Sequence, residues 1–441
     1  MNFLDHKNNY NYLIILLSLL VYSSFFLGFY YDENSAGAGG YGRDFSLNWT
    51  NLQIFINNDL MTAINSTDGS DINNNYRSSR SPLVYILHSA FNPFADTKMG
   101  YRISTFVISL FGPILFYFCL REKFSDINKL TLFFISSLIL LSPYYRTSAF
   151  WALDENYGYI SFFLGFIFFS KFLNNLSHKK INNYILIFFI SLFSSACVYF
   201  DQKLILIPLF FFLSITLSKT SLNFKIILTF LFIIFSLPFL YLINLWGNII
   251  TNSVEYRGFG ENIYIQNIGF LFTMISLYFF PFLFFKKEKM SIFIENFLKS
   301  KLNLYLILIF LLYIVYLFFT YDISSQLLLG KGFVHKISIT FFESLFYQKI
   351  FILFCFFISL IIILIFLEKT IINFLIILYL CLISIVTLMF VQEYVDPLLF
   401  ILIFLFFNNK ILINNKLAIT LFIYLSIFLA GSNIYYYNFY L

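Results

Sequence analysis

The run Tyr12-Leu13-Ile14-Ile15-Leu16-Leu17-Ser18-Leu19-Leu20-Val21-Tyr22-Ser23-Ser24-Phe25-Phe26-Leu27-Gly28-Phe29-Tyr30-Tyr31-Asp32-Glu33 decides the kind of fold. Residues 12–30 carry no charge and leave no helical face for water. A helix of about 20 such residues crosses a hydrocarbon core of about 30 Å. The apolar run is continuous rather than alternating, which excludes a large β-barrel. The pattern then recurs along the chain. Of the 441 residues, 60% are hydrophobic and 11% are charged. Only lipid accepts a surface of that composition. The expectation is an all-α polytopic membrane protein with about 13 crossings, at roughly 12–30, 100–120, 129–145, 157–173, 182–200, 203–218, 225–245, 264–285, 302–320, 348–367, 371–391, 397–408 and 417–435. The last but one is short for a crossing.

Basic residues orient these spans. With the N-terminus inside, seventeen of the 28 Lys and Arg fall on the inner side, although the outer loops are longer. Most Asp and Glu fall outside. The first span reads as retained, because residues 28–32 offer no clear small-residue cleavage site. The net charge of +6 fits positive-inside loops and does not call for a nucleic-acid partner; the lipid bilayer follows from the apolar composition. Cys119, Cys197, Cys355 and Cys381 show neither metal nor disulfide spacing and read as packing residues. No Gly-rich nucleotide loop, zinc-spaced His/Cys cluster or Gly-x-Ser-x-Gly nucleophile appears. Two regions are expected: 1–245, with the long first outward loop, and 246–441, with outward loops at 246–263 and 321–347.

The chemistry-bearing residues collect on the outward side. Loop 31–81 opens on Asp32-Glu33. The small-residue run Ser35 to Gly42 allows close backbone approach to a ligand. Arg43-Asp44 follows. Phe45, Trp49, Leu52, Phe55, Ile56 and Leu60 recur at mostly three- and four-residue spacing, as in an amphipathic helix lying in the membrane plane over 45–61. Asn48-Trp49-Thr50 and Asn65-Ser66-Thr67 match glycosylation sequons, which Asn-rich chains also produce by chance. Arg80-Ser81-Pro82-Leu83-Val84-Tyr85 and Arg102 lead into the second span. The next outward loop runs from Ser142-Pro143-Tyr144-Tyr145-Arg146 to Asp154-Glu155. Plain alternatives stand beside each reading. The acidic pair also suits a solvated helix end, Asp44 a cap, Arg80 and Arg102 snorkelling anchors, and Asp154-Glu155 a helix N-terminus. Lys203, in the short turn Asp201-Gln202-Lys203, and the glycine-flanked Arg257 and Lys331 suit a phosphate contact or an ordinary turn. His335 reads as a surface residue.

The order of these features resembles the GT-C superfamily of polytopic glycosyltransferases, which includes protein O-mannosyltransferases and lipid A aminoarabinose transferases. The shared order is an acidic pair after helix one, an in-plane helix, a basic residue before Pro-Leu-x-Tyr, then Arg entering helix two. Ser81 stands where those enzymes carry a first proline. The likeness covers residues 1–175, and the C-terminal half only in hydropathy. It implies a catalytic carboxylate in the first outward loop: Asp32, with Asp44 and Glu33 as alternatives. It implies a basic side chain on the donor phosphate: Arg80, with Arg102, Lys203 and Arg257 beside it. Tyr85, Arg146, Asp154, Glu155 and Tyr394 would line the cavity or hold the acceptor. A divalent cation held by Asp154-Glu155 with Asp32-Glu33 is compatible with the residues and not demanded by them.

The function so implied is transfer of a sugar from a polyprenyl-phosphate donor to a glycan, lipid or protein acceptor. It would take place on the outer face of a bacterial plasma membrane, with inversion at the anomeric carbon. A lipid-linked glycan polymerase or ligase is the alternative. A lipid or glycan transporter without chemistry ranks third, because the span centres are nearly uncharged.

Overall fold

An apolar chain in lipid must satisfy its backbone polar groups internally, which a helix does residue by residue. The computed structural model describes residues 3–36, 39–68, 76–78, 80–175, 182–248, 262–285, 299–323, 331–388, 390–408 and 411–439. Helices and turns build this part of the chain, and no β-strand forms among the described residues. Eight helical stretches are long and apolar enough to cross a membrane: 10–30, 98–123, 183–200, 222–246, 266–285, 301–320, 345–366 and 415–437. In the most apolar window of Leu222–Trp246 only 11% of residues are buried within the protein. Ile226, Phe230, Ile233, Leu237 and Leu240 stand exposed there, a face that suits lipid and not water.

The other expected spans are helical but different. Residues 129–145 are interrupted at Ser142, which turns extended and caps a new helix starting at Pro143. Shorter apolar helices occupy 129–141, 202–217 and 371–385. The stretch expected at 397–408 holds an eight-residue helix, Leu398–Leu405, buried throughout. The helix Glu155–Asn174 opens on a buried polar first turn.

The chain forms two compact units, Met1–Tyr256 with Phe422–Leu441, and Arg257–Leu421. The first unit contains α1 (Phe3–Tyr30), α2 (Phe45–Asn57), α3 (Leu60–Asn65), α4 (Leu83–Phe91), α5 (Lys98–Ser109), α6 (Phe111–Lys123), α7 (Lys129–Ser137), α8 (Pro143–Phe150), α9 (Glu155–Asn174), α10 (Asn182–Phe200), α11 (Leu206–Leu217) and α12 (Leu222–Trp246). Helix α9 packs along α10 and α6, α6 along α7, and α7 against α1. The second unit contains α13 (Gln266–Phe279), α14 (Lys301–Thr320), α15 (Gly332–Phe341), α16 (Leu345–Phe366), α17 (Ile371–Ile385) and α18 (Leu398–Leu405). There α16 packs on α13, α14 and α15. Helix α19 (Asn415–Phe439) starts in the second unit and ends in the first.

The helix expected over 45–61 ends at Asn57. Asp59 caps a separate turn, accepting from the N–H groups of Met61 and Thr62 at 3.1 Å each, a cap that stabilises by about 1 kcal/mol. The apolar side of α2 turns into the protein. Leu52, Ile54 and Phe55 are buried with Val84 and Tyr85 of α4, so protein contacts replace the expected contact with lipid.

Candidate functional site

Two tight turns, after α1 and after α8, set the geometry of the polar loops in the first unit. At the end of α1, Asp32 adopts a left-handed conformation (φ 52°). Asp32 N–H donates to Phe29 O at 3.3 Å and Glu33 N–H to Gly28 O at 2.9 Å. This is a Schellman closure of the helix, normally made by glycine at that position. At the end of α8, Ala152 is left-handed as well (φ 48°), and Leu153 N–H donates to Ser148 O at 3.0 Å. Non-glycine residues in this region cost on the order of 1 kcal/mol each and persist where the surroundings hold them. The turns aim Asp32, Glu33, Asp154 and Glu155.

The two acids of the first turn separate. Asp32 Oδ1 accepts from Arg102 Nη2 at 2.6 Å, and its side chain stays 56% exposed. Arg102 is fixed from behind: its Nε donates to Phe150 O at 2.9 Å, and its guanidinium lies 4.2 Å from the Trp151 ring centre. Glu33 instead takes both prongs of Arg146, with Nε at 2.8 Å from Oε1 and Nη2 on Oε2. Arg146 also donates to Ser24 O, Ser24 Oγ and Leu140 O at 2.7, 3.1 and 3.2 Å, and is fully enclosed. Gly28 makes this approach possible, because a Cβ there would meet Arg146 Nη2 at 2.3 Å. Thus Arg102 orients a carboxylate that water and solutes still reach, while Arg146 locks one in place.

The second turn gathers the other candidates. Arg80 pairs with Glu155 and stands 4.0 Å from Asp154. Its backbone is held by Tyr76 Oη donating to Arg80 O at 2.9 Å and, one residue on, by Ser81 Oγ donating to Tyr199 O at 2.6 Å. Asn48 Nδ2 donates to Ala152 O at 3.1 Å and to Asp154 at 3.4 Å, while Tyr85 Oη donates to Asn48 Oδ1 at 2.8 Å. Burial holds the Tyr85 phenol well above its usual range, so it remains a donor. Tyr101 Oη also donates to Ala152 O, at 3.3 Å, and Trp151 Nε1 donates to Glu33 O at 3.1 Å. Residues 150–155 are therefore the hub on which α2, α4, α5 and the end of α1 converge.

Burial pushes the Asp154 carboxyl up to about 7. Arg80 opposes this, and neighbouring Glu155 and Asp201 add to it. The unfolded chain ionises it near the ordinary 3.8. Between these values the folded state binds the extra proton, so this group's contribution to stability is lost as pH rises from about 4 to about 7. Asp154→Asn should therefore gain stability relative to wild type across that window and plateau above it. Melting temperatures of both proteins from pH 4 to 8 check this; a pH-independent difference shows that Asp154 does not titrate there.

The remaining expectations fall as follows. Lys203 pairs with Asp201 at 2.9 Å. Asp44 sits at the start of α2 without capping it through its side chain. Tyr394 lies in the second unit, its ring tilted by 49° against that of Phe390 with centroids 5.6 Å apart. Arg257 lies outside the described residues. The two acidic pairs face different basic residues, and no three His, Cys, Asp or Glu stand together as metal ligands among the described residues. Asn48 is buried and hydrogen-bonded, which overturns its sequon reading. His335 is 2% exposed, which overturns its surface reading.

His88, Asn51 and Tyr157 had no role in the sequence reading, and Asn48 only that of a sequon. His88 Nε2 lies 2.5 Å from Tyr157 Oη, and burial lowers its imidazole to about 4. Only the period of α4, which puts Val84, Tyr85 and His88 on one buried face, hinted at it.

A cavity of about 620 Å³ lies beside the first turn. Leu20, Val21, Leu27, Phe422 and Leu429 supply its apolar walls, and Glu33, Arg146 and Asn433 its polar end. Ser432 of α19 donates to Ser35 O and ties this wall to the first loop.

These elements define an all-helical, multi-pass membrane protein. No protein-family model, characterised protein or solved structure matches the chain.

Proposed function

We propose that this protein is a membrane glycosyltransferase of the GT-C kind, taking a sugar from a polyprenyl-phosphate carrier at the outward face. The observation that supports it best is the corner at Asp32, an exposed carboxylate oriented by Arg102, one residue before Glu33, which lines an apolar cavity of about 620 Å³. That volume lies within the usual range of ligand sites, about 300–1,000 Å³. The apolar walls suit an isoprenoid tail. Asp32 takes the proton of the acceptor hydroxyl as its oxygen attacks the anomeric carbon. The carbon–oxygen bond to phosphate breaks, and the phosphate leaves with the electron pair. Direct displacement inverts the carbon.

In this reading Arg80 receives the leaving phosphate. The phosphate exchanges with Glu155 for the guanidinium, and Asp154, held near neutrality by burial, adds less than a full opposing charge. Glu33 and Arg146 act as a strut. Arg80→Ala should lower affinity for the donor lipid at least tenfold, the equivalent of one charge-assisted bond of about 1.5–3 kcal/mol. Arg80→Lys should keep part of it. Equilibrium binding of a labelled polyprenyl-phosphate sugar to purified protein measures both, and unchanged binding in a folded Arg80→Ala protein removes Arg80 from the site.

A further inference from the structure

The second unit contains a buried polar cluster that the transferase reading leaves unused. It begins where the chain enters α15. Lys331 and Gly332 are both left-handed (φ 63° and 67°), and Lys331 N–H donates to Phe390 O at 2.6 Å. Glycine suits the φ of 67° at residue 332, and a Cβ there would meet the flexible end of Met274 at 2.5 Å. This reversal sends the Lys331 side chain inward, where the residue is 3% exposed. Its Nζ lies 5.9 Å from the Phe270 ring centre and 5.7 Å from that of Tyr321. His335, one turn along α15, meets the same Phe270 ring edge-on at 6.2 Å, and Tyr321 does so at 6.2 Å. Three polar side chains thus surround one aromatic ring.

Among the described residues, none of their polar ends is satisfied. Lys331 Nζ, both ring nitrogens of His335 and Tyr321 Oη are buried without a hydrogen-bond partner. No side chain caps α15 either, so its first N–H groups rely on other acceptors. Lys331 forms no ion pair with a carboxylate among the described residues. Of the acids on neighbouring elements, Asp322 adjoins Tyr321, and Asp396 accepts from Tyr278. Lys336, on α15 itself, adds a further positive charge near His335. An uncompensated buried ammonium is costly, and cation–π contact with two rings recovers only part of that cost. The structure keeps this arrangement together with a left-handed lysine, a combination that points to a ligand rather than to packing.

We propose that Lys331, His335 and the first turn of α15 form a buried binding site for a phosphoryl group, with Tyr321 as an additional donor. The chemistry of the set selects the ligand. Ammonium, phenol and backbone N–H groups are donors, and the imidazole donates through at least one nitrogen. The complement is an acceptor-rich anion, and a tetrahedral phosphoryl group at a helix N-terminus meets donors from several directions. Burial lowers the Lys331 ammonium to about 7, and burial with nearby Lys331 and Lys336 lowers His335 to about 4. A bound anion reverses both effects. The phosphoryl group belongs to a lipid headgroup or to free phosphate. This proposal goes beyond the transferase reading and stands on residues of the other unit.

The test uses the full chain in maltoside micelles, with inorganic phosphate and dodecyl phosphate as probes. We expect saturable binding that weakens at least tenfold in Lys331→Met and a phosphate-dependent shift of the His335 imidazole resonance in the wild-type protein. Without anion, Lys331→Met should melt at or above the wild-type temperature, because it removes a buried charge and keeps the stem. Response to both probes assigns free phosphate, and response to dodecyl phosphate alone assigns a lipid headgroup; either supports the site. Equal affinity in wild type and Lys331→Met overturns it. An unmoved His335 resonance with both probes also overturns it, whether or not the variant folds. The His335 signal reports this site alone, whereas loss of donor binding in Arg80→Ala reports the transferase reading, so each can fail separately.

Discussion

Asp32→Asn is expected to abolish the proposed sugar transfer while the donor lipid still binds. The substitution changes little else. Asn is the residue after glycine that best accepts a left-handed backbone, so the turn at φ 52° survives. Its amide oxygen can still accept from Arg102, whose other fixings at Phe150 O and the Trp151 ring are untouched. The proton acceptor is lost. General-base catalysis contributes about 10²–10⁴-fold, and the transfer rate should fall by that much. Purified Asp32→Asn, Glu33→Gln and Asp44→Asn proteins, given a labelled sugar on a polyprenyl carrier, provide the comparison. Activity kept in Asp32→Asn and lost in Asp44→Asn moves the base along the loop. Full activity in all three variants removes the mechanism, and a wild-type protein that binds the lipid without transferring sugar favours the transporter reading.

Breaking the Glu33–Arg146 pair from one side destabilises the first unit by about 3–5 kcal/mol. Arg146 is 2% and Glu33 15% exposed at the side chain, so the surviving partner stays buried with its charge uncompensated. Glu33→Gln and Arg146→Met should each lower the unfolding free energy by about that amount. The double variant should cost less than their sum, since neither charge remains. Full recovery is not expected, because Ser24 O and Leu140 O lose the donors that Arg146 supplies. Denaturant unfolding in mixed micelles gives the four corners of the cycle. Additive single effects would show that the two side chains do not act as a pair. The Asp32–Arg102 contact offers an internal comparison, as its half-exposed carboxylate makes it worth about 1 kcal/mol or less.

The sequence alone determined the helical membrane class, because uncharged runs near 20 residues leave lipid as the only solvent and the helix as the only economical backbone. It also determined where polar chemistry collects, since Asp32, Glu33, Arg80, Arg102, Arg146, Asp154 and Glu155 interrupt an apolar background. Tertiary structure decided the partners. Adjacent Asp32 and Glu33 face arginines on α5 and α8, and their separation follows from one left-handed residue that no apolar pattern encodes. The end of α19 belongs to the first unit for a similar reason. Lipid-facing and helix-facing positions are equally apolar, so hydropathy carries no record of which helices meet. That is also why α2 was read as lying on lipid when its Leu52 and Phe55 face protein. Buried Asn48, His88 and His335 were hidden by the same ambiguity: in an Asn-rich chain, or as single imidazoles, they acquire meaning only from the atoms that folding places around them.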